Sequence, residues 1–450
     1  MPLASFWVGP GTLDNNVTRS LKITRTRLSA LLAGLLLSSA AALAHVEEGQ
    51  FSGDQIPDLS LPWWEAQDWY AYAVDIDGDT AAVSAAHEGG KDVGYVYIYV
   101  RDGAGNWTEQ AKISNPGSPA NFGWSVALHQ DTLVVTALDG GDYQGTGEAY
   151  IFVRSGTTWS LQATLGGDSN NMDGFGYRAS VHGDTAAIGA WHDDDQGGNA
   201  GAVHIFVRNG TTWTREAKLY SNDIDINDHF GRSVVIEGDT LAVNAMLDLN
   251  PAGLYAGNAY IFVRENGIWV EQAKLEASDG NGADNMGVSL DLNGDYVIAG
   301  ALGDDVPGGE NRGSAYVFRR NNCNWLEDAK LEPGEVSDNM QFGEDVTIQG
   351  DVAVIGAAGD EDLGLYTGAA YVFSRSTGSW QFDSKILPTD AAGGNVLSGT
   401  SFGTAVAMSD DKAVIGAGLG LSGKVYMYDL DNDNVAYPPK DKVCFNGCHP

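Results

Sequence analysis

The chain has 450 residues, 43% of them hydrophobic, and carries 60 Asp and Glu against 25 Lys and Arg, a net charge of −35. That apolar share excludes a wholly disordered chain. A surface this acidic repels phosphate backbones and excludes nucleic acid as the natural partner. The 59 glycines follow no three-residue period, so collagen is excluded as well.

The N-terminus reads as an address. Lys22, Arg25 and Arg27 precede the apolar run Leu28–Leu37, and Ala42-Leu43-Ala44 follows. A basic region, a short apolar core and small residues at the cut make a secretory signal. Residues 1–44 are therefore expected to be removed after Ala44, leaving His45 first. The run is too short and Ala-rich for a membrane span of ~20 residues, and no later segment could span a bilayer. The protein is expected in the medium, at the cell surface or in the periplasm.

From Tyr70 onward one motif is written seven times. Its openers are Tyr70-Ala71, Phe122-Gly123, Phe175-Gly176, Phe230-Gly231, Met286-Gly287, Phe342-Gly343 and Phe402-Gly403. Nine positions after each opener stands an Asp: Asp79, Asp131, Asp184, Asp239, Asp295, Asp351 and Asp411. Each copy reads as four short strands, with a Gly- or Asp-containing hairpin turn between the first two. The fourth strand runs from a Trp to an apolar end, as in Trp107 to Ile113 and Trp269 to Leu275. Short strands at even spacing with one aromatic set per repeat predict an all-β fold, a single seven-bladed β-propeller over residues 45–430. The seventh copy ends after its third strand, Lys424–Leu430. Leu61 lies nine residues before Tyr70, as Ile113 lies nine before Phe122. The segment Phe51–Leu61 is thus predicted to supply the missing fourth strand and close the ring, which removes open sheet edges. Residues 431–450 read as an irregular tail.

Three cysteines are too few for a disulfide framework. Cys444 and Cys448 could close a small loop, leaving Cys323 unpaired, or all three could be free.

The Phe-Gly openers, the endings Val354-Ile355-Gly356-Ala357 and Val414-Ile415-Gly416-Ala417, and the strand Ala370-Tyr371-Val372-Phe373 resemble FG-GAP repeats, the blades of the integrin α-subunit propeller and of many bacterial surface proteins. The resemblance covers roughly residues 51–430. It implies an extracellular recognition or adhesion module, often one that binds Ca²⁺. One departure matters. Integrin-type blades carry a D-x-D-x-D-G calcium loop between strands one and two, whereas that connection here is a short turn such as Gly183-Asp184-Thr185. Asp75-x-Asp77-Gly78-Asp79 comes nearest and lacks the full set of oxygen ligands, so the family's calcium site is not carried over.

Alternating strands place the loops between strands two and three, and those between blades, on one face. Acids gather there, and Asp193, Asp194, Asp195, Asp360 and Asp362 are candidate oxygen ligands for Ca²⁺. The same acids also fit plain solvated loops. Positions two after the opener differ between copies and lie near the channel mouth: Tyr72, Trp124, Tyr177, Arg232, Val288, Glu344 and Thr404. Tyr72, Trp124 and Tyr177, with Trp191 leaning in and Arg232 and Glu344 nearby, form the candidate ligand platform. Aromatic faces beside carboxylates suit sugars or cationic groups; the same rings could instead plug the channel. No H-E-x-x-H or G-x-S-x-G occurs, and no catalytic residue is assigned. The leading expectation is a non-enzymatic module that binds a glycan or an extracellular protein. The alternative is a polysaccharide lyase or hydrolase acting in the channel.

Overall fold

The computed structural model describes residues 46–52, 69–88, 93–117, 120–138, 146–168, 173–249, 255–305, 311–334, 338–388, 400–418 and 423–430. The expected signal segment, the expected tail, Cys444 and Cys448 lie outside the described residues. Among those described, every regular element is a strand, and the strands form seven four-stranded antiparallel sheets. The protein is a seven-bladed β-propeller. Blade one is typical: Tyr70–Asp77, Thr80–Ala85, Tyr95–Arg101 and Trp107–Ser114 run outward from the axis in chain order.

The core lies between blades. Each of its seven apolar clusters joins two neighbours; one packs Val96, Ile98 and Ile113 of blade one against Phe122, Leu133 and Phe152 of blade two. Second strands are covered on both sides, so they do not alternate. Thr185–Ala190 is buried at every position, as a sequence of small and β-branched residues allows. The opener rings are buried and meet the third-strand aromatics edge-on, as Phe342 does with Tyr371 at 5.2 Å and Phe373 at 6.1 Å. The two glycines of the motif follow from this packing. Gly343 holds φ +89°, which side chains rarely adopt. Gly300, at the end of the preceding blade's second strand, lies so close that a Cβ on it would sit 1.9 Å from the Gly343 carbonyl oxygen.

Blades are clasped at the rim by a second repeated device. Every fourth strand carries a bulge, and in all but blade six, whose neighbour's fourth strand has no Trp, the extra residue accepts the indole N–H of the next blade's Trp. Trp159 Nε1 donates to Gln110 at 3.1 Å, Trp213 to Gln162 at 2.9 Å, Trp269 to Glu216 at 2.9 Å, Trp325 to Gln272 at 2.9 Å and Trp380 to Asp328 at 3.3 Å. Over each Trp lies the Arg that ends the third strand. Arg208 pairs with Asp184 of its own turn at 2.6 Å, reaches Thr132 Oγ1 of the previous blade at 3.0 Å, and stacks on Trp213. The Asp nine after the opener is therefore an ion-pair partner of the blade's Arg in blades one to six.

The ring closes through the N-terminus, but the closing strand is Val46–Ser52 rather than Phe51–Leu61. It pairs antiparallel with Lys424–Asp429, and Phe51 faces Val425 as Ile113 faces Val96. The bulge recurs between Glu47 and Gly49, and Glu48 accepts the Trp107 indole N–H at 3.3 Å. The expected position assumed the inter-blade connection seen elsewhere. The one from Ser52 to Tyr70 is longer, so the apolar end falls on Phe51. Residues 53–61 lie outside the described residues. Cys323, expected to be left over, is disulfide-bonded; its partner is not among the described residues.

Removal of residues through Ser52 leaves blade seven with three strands and Trp107 without its acceptor. The truncated protein should lose its cooperative thermal transition in circular dichroism. An unchanged melting temperature would contradict closure by this strand.

Candidate functional site

The innermost strands have no strand partner on the channel side, so their backbone N–H groups need other acceptors. Side chains from the preceding blade supply them. Asp75 accepts from Leu128 N at 2.6 Å, Ser180 from Ile236 N at 3.1 Å, Asp291 from Ile348 N at 2.8 Å and Asp345 from Val406 N at 2.8 Å. Gly294 N and Gly350 N are bound in the same way by Glu237 and Asn293 at the far end. The polar lumen they line holds a cavity of about 170 Å³, with Arg178 in its wall. Burial pushes the Asp75 carboxyl up to about 7, with Asp291 repelling it as a smaller cause. Burial likewise raises Asp291 and Asp345 to about 6. The sequence reading named Asp75 only as part of an incomplete calcium loop and missed Asp291 and Asp345; the signal of all three was a carboxylate facing inward on a channel-lining strand.

At the mouth the aromatics predicted from sequence come together in one arc. Tyr72 lies 5.1 Å from Trp124, Trp124 5.6 Å from Tyr177, and Tyr177 4.8 Å from Trp191. Arg232 stacks over Tyr177 and Trp191 at 5.6 and 5.9 Å. Three residues extend the arc beyond the prediction. Trp69 stacks on His87 at 3.8 Å and packs on Tyr72 at 5.0 Å, and His229 lies 4.9 Å from Trp191. Trp69 and His229 immediately precede openers and sit at φ +50° and +56°, in the left-handed conformation that this position takes in all seven blades. Bulky side chains rarely adopt that left-handed conformation. The rings are not equally available: Trp124 is 5% exposed, while Tyr72, Tyr177 and Trp191 are partly open. Glu344 joins the mouth from blade six. Burial, then Asp345, lift its carboxyl to about 7 against the opposing pull of Arg178 and Arg232. Its Oε2 has no hydrogen-bond partner among the described residues. Burial, then His192 and Arg232, push His229 down to about 4.

The acidic loops are organised around lysines from the ends of fourth strands. Lys218 Nζ lies 2.5 Å from Asp193 and 2.6 Å from Asp195, and Lys385 Nζ lies 2.7 Å from Asp360 and 2.6 Å from Asp362. Asp194 turns away and caps Asn199 N at 2.7 Å. The candidate calcium ligands thus form two separate clusters in blades three and six, each with an ammonium between its carboxylates. Lys274 and Lys330 repeat the arrangement in blades four and five.

Residues 107–152, 159–206, 213–262, 269–318 and 325–373, more than half of the chain, match the FG-GAP repeat family. The chain belongs to the FG-GAP repeat family. Each matched FG-GAP unit begins at a fourth-strand Trp and ends in the next blade's third strand. The repeat in sequence therefore straddles two blades, and an N-terminal strand is needed to complete the last one. No curated protein matches the chain. Among the described residues no helix is long and apolar enough to cross a membrane.

The raised channel acids make stability depend on pH. Between pH ~4 and ~7 the folded chain keeps protons on Asp75 and Asp291 that the unfolded chain has released, so stability falls as pH rises through that window. Asn at both positions keeps an acceptor for Leu128 N and Ile348 N and removes the titration. Urea melts of the Asp75→Asn/Asp291→Asn variant should show a fall shallower by a few kcal/mol, at about 1.4 kcal/mol per pKa unit. Parallel curves for variant and wild type would contradict the assignment.

Proposed function

We propose that this FG-GAP propeller is an exported, non-enzymatic recognition module that binds a glycan or an extracellular protein at the aromatic arc of its channel mouth. The carrying observation is the continuous arc of rings from Trp69 to His229, with bulky rings at two pre-opener positions that hold Asn, Gly, Gln or Ser in the other five blades. Ring faces with Glu344 and Arg232 beside them suit the apolar face and hydroxyls of a sugar, or the side chains of a peptide loop. Export is supported by the basic-apolar leader and by the disulfide at Cys323, a bond of oxidising compartments. A cut after Ala44 also leaves the closing strand Val46–Ser52 whole. The enzyme alternative draws less support, because the channel carboxylates already serve as acceptors for backbone N–H groups.

A glycan array run beside a polysaccharide-depolymerisation assay tests this reading: binding without turnover is expected, and product formation would overturn it. Within the arc, Tyr72→Ala and Tyr177→Ala should weaken binding about 2- to 12-fold, the equivalent of a lost stacking contact of ~0.5–1.5 kcal/mol, with little change in melting temperature. Trp124→Ala should instead destabilise the fold by ~3–5 kcal/mol, as truncation of a buried aromatic does. Strong destabilisation by all three, with binding intact in the folded fraction, would make the arc a plug and not a platform. Calcium enters as a second proposal at Asp193–Asp195 and Asp360–Asp362, where it has to displace Lys218 and Lys385. Its stabilising effect in thermal melts should then grow in Lys385→Met, and no response in either protein would remove calcium from the account.

A further inference from the structure

Blade three breaks the pattern of its neighbours at one buried position. The third-strand residue facing the second strand is Tyr97, Tyr150, Tyr260, Tyr316, Tyr371 and Tyr426 in the other six blades, and His204 here. In blade five the Tyr316 hydroxyl donates to Asp279 at 2.7 Å, and Lys330 bridges Asp279 and Asp304. Blade four repeats this with Tyr260, Asp223, Asp248 and Lys274. In blade three the corresponding acids are Asp168 and Asp193, the lysine is Lys218, and Asp195 adds a third carboxylate. The hydroxyl that completes the cluster elsewhere is missing. His204 is wholly buried, and its Nε2 has no hydrogen-bond partner among the described residues. A ring nitrogen of His204 and one carboxylate oxygen each from Asp168 and Asp193 lie within 4.8 Å of one another.

We propose that Asp168, Asp193 and His204 form a divalent metal site in blade three that takes a borderline ion such as Zn²⁺ or Co²⁺. An imidazole beside two carboxylates is the donor set of such ions, whereas Ca²⁺ takes oxygen ligands. Ligand atoms around a tetrahedral ion with bonds of ~2.0–2.1 Å stand about 3.3 Å apart, so the three donors have to close by at most about 1.5 Å. Two cations now face the donors. Lys218 Nζ lies 2.8 Å from Asp168 and 2.5 Å from Asp193, and it can withdraw to Asp195 when an ion enters. Arg215 Nη1 lies 2.5 Å from Asp168 and 3.3 Å from His204 Nδ1; its side chain is 41% exposed and has solvent to move into when an ion enters. The site is thus one in which lysine and metal compete for the same carboxylates.

The test is a Co²⁺ titration of the full chain followed by visible absorption, with Zn²⁺ calorimetry alongside. His204→Tyr installs the residue of the other six blades and should fold. One tight equivalent is expected in wild type and a loss of at least about tenfold in His204→Tyr, since even an outer partner of a metal ligand is worth that much. Lys218→Met removes the competing ammonium and should bind more tightly than wild type. Absence of binding at millimolar ion, or the same isotherm in wild type and His204→Tyr, would overturn the site. Asp168→Asn serves as the second variant should His204→Tyr melt without cooperativity: retained binding there overturns the proposal equally.

Discussion

The bond from one blade's tryptophan to the previous blade's bulge clasps six of the seven blade interfaces of this propeller. A flat four-stranded sheet with two buried faces is not stable alone; it needs a neighbour on each side. The bulge lifts one residue of the fourth strand out of its ladder, so that its side chain meets the neighbouring indole N–H. The Arg above that indole then ties its own blade's turn to the previous blade's second strand. Apolar packing would let blades slide past one another, whereas these directed contacts fix their register. The same bond at Trp107 and Glu48 makes the interface of blades seven and one equivalent to the first five, although its two sides come from opposite ends of the chain.

A second constraint acts at the axis. The innermost strand of every blade is an edge strand, and edges left open pair with other chains. Here the carboxylates, hydroxyls and amides of one blade receive the N–H groups of the next. The channel is polar for that reason, and three of its acids are raised far above the ordinary carboxylate range by burial. Polar residues in a propeller channel invite a catalytic interpretation, yet in this chain their partners are backbone amides. What the repeat does not dictate lies at the mouth, in the rings from Trp69 to His229.

Much of this was legible in the sequence, because a repeated motif exposes its own deviations. Phe-Gly, Gly-Ala and the Trp recur since every blade must solve the same packing problem. Tyr72, Trp124 and Tyr177 stood out because their position varies where everything around it is fixed, and the fold does bring them together. The closing strand was misplaced because counting residues presumes a constant connection. Its true marks, Glu48 at the bulge and Phe51 at the apolar end, become visible only once the bulge is known to be part of the repeat. Trp69 and His229 were overlooked because they stand just before the opener, at a position that is left-handed in every blade and holds Asn, Gly, Gln or Ser in the other five. The acids of the loops were legible as a cluster, but their lysines lie some twenty-five residues away along the chain, so the ion pairs were not.

The account rests on the last interface being as closed as the others. Hydrogen exchange of the tryptophan indole N–H groups, followed by NMR, reads six of the seven interfaces separately. Trp107 Nε1–H should exchange as slowly as the indoles of Trp159, Trp213, Trp269 and Trp325, through opening events of the same free energy as global unfolding. Fast exchange at Trp107 with the other four protected would mean that the ring opens where its two ends meet, and would contradict closure by Val46–Ser52.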